Sequence, residues 1–99
     1  MKLFEIAHSR AGDKGNILNL SLIPFNEKDY ELLYEKVTAD VVKEHFEGIV
    51  EGEVVRFELP NIKAFNFVCY GSLEGGVTTS LALDAHGKSM SSALLELEI

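Results

Sequence analysis

The chain has no tryptophan, a single cysteine, two prolines, and only nine basic residues against sixteen acidic ones in a length of 99. Each shortage excludes something. One cysteine cannot form a disulfide within the chain, so packing must supply the stability, and a reducing compartment is the expected setting. Nine scattered basic residues under a net charge of −7 cannot neutralise a row of phosphates, which argues against nucleic acid as a partner. The same balance disfavours an anionic membrane surface. No apolar run approaches bilayer-spanning length, so no membrane association is expected. Met1-Lys2 leads directly into an alternating stretch and not into a secretory leader, and a cytoplasmic protein is the expectation. The three histidines, at 8, 45 and 86, show no HxH, HxxxH or HExxH pairing and have no cysteine partner, so no metal site is expected. No P-loop, GxGxxG or GxSxG occurs, and the sequence implies no cofactor.

What is present is apolar material. Hydrophobic residues make up 46% of the chain, which has the length of one domain spanning residues 1–99. A domain of this size buries only about 60% of the surface that its unfolded chain exposes. The apolar surplus is therefore expected to be covered by a partner, with a homo-oligomer as the simplest arrangement. The plain alternative is a monomer with scattered surface leucines and phenylalanines, which is normal for small proteins.

Periodicity divides the chain into strands and helices. Lys2 to His8 alternates as a strand, with Phe4, Ile6 and His8 on one side. Arg10 to Gly15 reads as a turn, and Ile17 to Ile23 as a second strand with Leu18, Leu20 and Leu22 inward. Asn26 caps a helix to about Lys36 with a stripe of Tyr30, Leu33, Tyr34 and Val37; Thr38 caps a second helix to about Phe46, which Gly48 stops. Nine acidic and three basic residues lie between Asn26 and Glu53, most simply as solvated helix charges. Glu53 to Leu59 is read as a strand with Val55, Phe57 and Leu59 inward. After Pro60-Asn61, Ala64 to Tyr70 is apolar on both sides, as a central strand covered on both faces would be. Val77 to Leu83 is a further strand, and Met90 to Leu97 a last helix striped by Met90, Ala93, Leu94 and Leu97. The fold class is α+β, a mainly antiparallel sheet with helices packed on one face and apolar side chains on the other.

Three places carry residue types suited to chemistry. In His8-Ser9-Arg10-Ala11-Gly12-Asp13-Lys14-Gly15-Asn16, Arg10 offers a fork of donors and Lys14 a mobile charge, and the glycines are compatible with a backbone nest for a small anion. The plain alternative is a hairpin loop in which Asp13 caps amides. Glu74-Gly75-Gly76, before Thr78-Thr79-Ser80, permits close approach of a ligand or of another backbone, or is simply a flexible turn. His86, in Asp84-Ala85-His86-Gly87-Lys88, titrates in a range suited to acid–base work but is more often a solvated loop residue. His45 falls on an inner helix stripe and reads as a core histidine.

Three stretches taken together point to a family: Ser9 to Asn16, Glu58 to Val68 with its Pro60-Asn61 turn and Asn66, and Gly75-Gly76-Val77-Thr78-Thr79-Ser80-Leu81 running on to Asp84 and Gly87-Lys88. The sequence resembles the AtuA-like ferredoxin-fold domain. That domain stands at the C-terminal end of acyclic terpene utilisation proteins of the AtuA type and also occurs free-standing, as it is expected to do here. The resemblance implies a ferredoxin-like fold and a setting in acyl-CoA or isoprenoid catabolism. It also implies that Arg10, Asp13, Lys14, Asn61 and Asn66 occupy motif positions, and it carries over no catalytic residue. Glu74 departs from the pattern, standing where a further glycine is expected. The expected function is a non-catalytic oligomerisation or docking module, partnered by its own copies or by a larger AtuA-type protein, that holds an acidic metabolite at Arg10–Asn16. The alternative is a small enzyme acting on a carboxylated or CoA-linked substrate, with Arg10 and Lys14 binding the anion and His8, Asp13 or His86 moving the proton.

Overall fold

A computed structural model describes residues 1–14, 17–71 and 90–99, with backbone alone at 13 and 14. The strands are β1 (Ala7–His8), β2 (Ala11–Lys14), β3 (Ile17–Pro24), β4 (Val54–Leu59) and β5 (Ala64–Tyr70). The helices are α1 (Tyr30–Lys36), α2 (Ala39–His45) and α3 (Met90–Leu95). All pairings are antiparallel, and the sheet runs β1-β3-β5-β4 with β2 also on β3. β3 and β4 thus run parallel with β5 between them, and α1 and α2 make the crossover. This is the split βαβ unit of ferredoxin-like folds. The N-terminal segment lies beside β3, where the last strand of a βαββαβ chain would lie.

Strand alternation builds the core. On β3, Leu18, Leu20 and Leu22 are buried and the intervening residues are half-buried. Their cross-strand partners Cys69, Phe67 and Phe65 are also buried. Leu33 and Val37 of the α1 region, Val42 and Phe46 of the α2 region, and Leu94 of α3 join the same cluster, so the three described helices cover one face. Each such side chain contributes about 1.5–3 kcal/mol relative to exposure. The Asn26 side chain accepts from the Lys28 amide and starts a 3-10 turn (Glu27–Asp29) that leads into α1. Thr38 caps α2 by accepting from the Val41 amide, and Gly48 leaves it at a φ of 87°.

Four expectations are corrected. Lys2 to His8 is not one strand: Leu3–Glu5 forms a 3-10 turn, and only Ala7–His8 pairs with β3. Leu3 and Ala7, four residues apart, are the buried pair, and Phe4 is 48% exposed. The Leu3 amide donates to the Leu97 carbonyl, which draws this segment under the last turn after α3. Within the expected Arg10–Gly15 turn, Ala11 to Lys14 is a strand in register with β3. The inward face of β4 is of opposite phase, with Val54 buried and Phe57 and Leu59 exposed. Finally, β5 is central but not covered equally on both sides: Asn66 and Val68 are half-buried, and Tyr70 is exposed. The strand expected at Val77 to Leu83 lies outside the described residues.

At the base of the β4–β5 hairpin two glycines let the backbones close up. The Gly52 amide donates to the Tyr70 carbonyl, and the Glu51 amide to that of Gly71. A Cβ on Gly52 would lie 2.5 Å from the Tyr70 oxygen. One on Gly71, whose φ is 69°, would lie 2.9 Å from the Gly52 nitrogen.

Candidate functional site

The sheet face opposite the helices is built from the alternate residues of three strands. Ile17, Asn19, Ser21 and Ile23 come from β3, Ala64, Asn66, Val68 and Tyr70 from β5, and Val55, Phe57 and Leu59 from β4. None of these eleven is charged, but the edge segment beside β3 adds exposed Arg10 to the same face, opposite Ser21. Phe57 is 49% exposed, and Leu59 and Tyr70 40% each. The polar residues sit in the middle. Register aligns Ser21, Asn66 and Phe57 in one row across the sheet, and Asn19, Val68 and Val55 in the next. The Asn66 Nδ2 donates to the Asn19 Oδ1 at 3.2 Å, a diagonal bond between rows.

Beside this face, β1 and β2 share one register on β3 but are separated by Ser9 and Arg10. The Arg10 carbonyl accepts from the Ser21 amide at 2.9 Å, as in a regular ladder. The Arg10 amide instead donates to the Ser21 Oγ at 2.9 Å, so a side chain substitutes for a backbone acceptor at this point. The Ser9 Oγ is buried without a hydrogen-bond partner.

The predicted site residues spread along the sheet. His8 is exposed on β1 opposite Ile23, with its ring stacked on Phe25 at 5.4 Å. Asn61 is exposed in the 3-10 turn Pro60–Ile62, at the same end of the sheet. Arg10 is exposed in the row of Ser21 and Asn66, with one strand between its backbone and that of Asn66. Lys14 pairs with Ile17 at the opposite end, six residues or about 20 Å along the strand from His8. The side chains of Asp13 and Lys14 are not described, and Asn16, Gly75, Gly76 and His86 lie outside the described residues. The structure therefore brings Arg10 and Asn66 into one row and puts His8 and Lys14 at opposite ends.

Two concavities are formed by other residues. A groove of about 420 Å³ is lined by Tyr30, Glu31, Tyr34, Glu35, Glu58 and Pro60. A smaller one of about 220 Å³ is lined by Lys43, Glu44, Glu47 and Val50. Neither contains a predicted site residue. His45 is partly buried, and its Nε2–H donates to the Ala93 carbonyl at 2.8 Å, tying α2 to α3. Burial pushes the Cys69 thiol up from 9.0 to about 11, against a weaker opposing pull from Lys43. Such a thiol is protonated at neutral pH and a poor nucleophile. Among the described residues no group of three or more His, Cys, Asp or Glu is placed to hold a metal. No helix among them is long and apolar enough to cross a membrane.

Sequence reasoning missed two positions. Arg56, on the core side of β4, donates to the Tyr34 and Val37 carbonyls at 2.8 and 2.9 Å and to the Glu58 carboxylate at 2.9 Å. Its guanidinium also lies over the Tyr34 and Phe65 rings. It thus caps the C-terminal end of α1 and locks it onto the sheet. Asn19 was missed as the partner of Asn66, although it is polar at an outward position of the Leu18/Leu20/Leu22 alternation.

These features define a ferredoxin-like α+β domain with one helix-covered sheet face and an opposite face whose three inner strands carry no charge. The family model of the AtuA ferredoxin-like domain matches residues 1–99, and the chain belongs to that family. No curated protein and no solved structure matches it.

Proposed function

We propose that this chain is a non-catalytic assembly module, self-associating and serving a larger AtuA-type catabolic protein in acyl-CoA or isoprenoid breakdown. The observation that carries the reading is the exposure of Phe57, Leu59 and Tyr70 among the uncharged positions that β3, β4 and β5 contribute to one sheet face. A chain of net charge −7 associates at least electrostatic cost through a surface that carries none of that charge. Arg10 and Lys14, on the segment flanking this face, are the cationic groups available to an acidic metabolite or thioester delivered by such a partner.

Native mass spectrometry and light scattering test the assembly. The expected mass is a multiple of 11.0 kDa, and a monomer throughout the high micromolar range overturns the reading. A thermal-shift screen of acyl-CoAs and short dicarboxylates tests the metabolite, since a ligand of the native state raises the melting temperature and Arg10→Ala is expected to abolish the rise.

A further inference from the structure

We infer that the groove between α1 and the end of β4 binds a small organic dication, an aliphatic amine with two protonated nitrogens. The site lies apart from the open sheet face and does not depend on the assembly reading.

Sequence spacing builds its first wall. On α1, Tyr30 and Tyr34 stand four residues apart, as do Glu31 and Glu35, so a row of rings runs beside a row of carboxylates. The two ring centroids are 6.4 Å apart. Glu58, near the end of β4, and Pro60, in the turn that follows, make the other wall. The enclosed volume of about 420 Å³ is that of a small-molecule site.

Charge sets the sign of the ligand and the number of its cationic groups. Like charges four residues apart on a helix repel one another. Neither the Glu31 nor the Glu35 side chain has an ion-pair or hydrogen-bond partner among the described residues. Arg56 is committed to the Glu58 Oε2 and to two carbonyls at the end of α1, so it does not neutralise them. Two uncompensated carboxylates, with Cβ atoms about 5–6 Å apart on one helix face, match two ammonium groups on a short aliphatic chain. The Glu58 Oε1 is a further acceptor on the opposite wall.

The rings supply an independent observation. The Lys63 ammonium lies 5.4 Å from the Tyr30 ring centroid, and the Arg56 guanidinium 4.8 Å from that of Tyr34. Both aromatic residues of the groove therefore already attract cations of the chain itself, through the negative face of the ring. Tyr34 remains 44% exposed, which leaves ring surface for the methylene carbons and ammonium of a ligand. An anion would meet three carboxylates here, and a purely apolar ligand would leave them desolvated without a partner.

Amide NMR titration of the full chain with putrescine, against sodium chloride of matched ionic strength, tests the site. Saturable shifts are expected at the amides of residues 30–35 and 58. Butylamine, which has the same four-carbon body and one charge, is expected to bind about three-fold more weakly. Glu31→Gln combined with Glu35→Gln is expected to weaken putrescine about five- to ten-fold. Glu44→Gln combined with Glu47→Gln removes equal charge at the smaller concavity and is expected to change binding by less than about two-fold. All four glutamates are exposed, and circular dichroism melts establish that both variants fold. Equal weakening in the two variants makes the binding a response to net charge and overturns the site. Absence of saturable shifts, or shifts confined to other residues, overturns it as well. A lysine-rich peptide that shifts these amides where putrescine does not gives the groove to a protein partner and overturns the small-ligand inference.

Discussion

The two faces of this sheet are made by the same strands, often by adjacent residues, yet they obey different rules. On the helix-covered face Leu20 and Phe67 pair at zero exposure, and one position along, Ser21 pairs with Asn66, half-buried. The covered face is closed packing in which each side chain touches others on every side. The opposite face is a surface whose inner strands carry no charge and whose edge carries Arg10. The difference teaches that the uncharged character of this face belongs to its inner strands, since the same alternation puts Arg10 on it at the edge.

Unfolding measurements on paired variants break or sharpen this contrast. The largest effect is expected for Phe67→Ala, which opens a cavity in the covered layer and destabilises by about 3–5 kcal/mol in chemical denaturation. Phe57→Ala, on the other face of the neighbouring strand, is expected to cost the monomer less than about 1 kcal/mol. Equal losses from the two would dissolve the distinction. Next comes Arg56→Ala, which strands two carbonyls at the end of α1 and is expected to cost about 1.5–3 kcal/mol. Arg56→Lys is expected to recover only part of this, since an ammonium cannot span both carbonyls and stack on two rings. The last effect concerns Cys69 and is confined to alkaline pH. Its folded thiol titrates near 11 and its unfolded thiol near 9.0. The unfolded state therefore loses its proton first as pH rises. The contribution to stability is complete below about 9 and is lost between there and about 11. Comparing denaturation midpoints of the wild type and Cys69→Ala across that range checks the sign, and identical slopes would refute it.

How much of this was legible beforehand depended on whether local pattern and tertiary role agreed. β3 was readable because its leucines alternate without exception, and α2 because Thr38 and Gly48 mark both ends. β4 was read in the wrong phase because Arg56 occupies a core-side position, and an arginine anchored on helix carbonyls is indistinguishable in sequence from one in water. β2 was read as a turn because Ala11-Gly12-Asp13-Lys14 has no apolar alternation; backbone pairing on an edge supplies what pattern does not. Of the candidate site, Asn66 and Arg10 were picked out, and the relation of Asn66 to Asn19 was invisible because it depends on which strands become neighbours.

The close approach of Gly52 to Gly71 has a consequence beyond this chain. Neither position has room for even a methyl group: a Cβ at 71 would meet the Gly52 nitrogen, and one at 52 would meet the Tyr70 carbonyl. Any protein sharing this hairpin should keep both glycines at that spacing or open the base of the hairpin, and the pair can serve as a fingerprint for aligning distant members whose surfaces have nothing else in common.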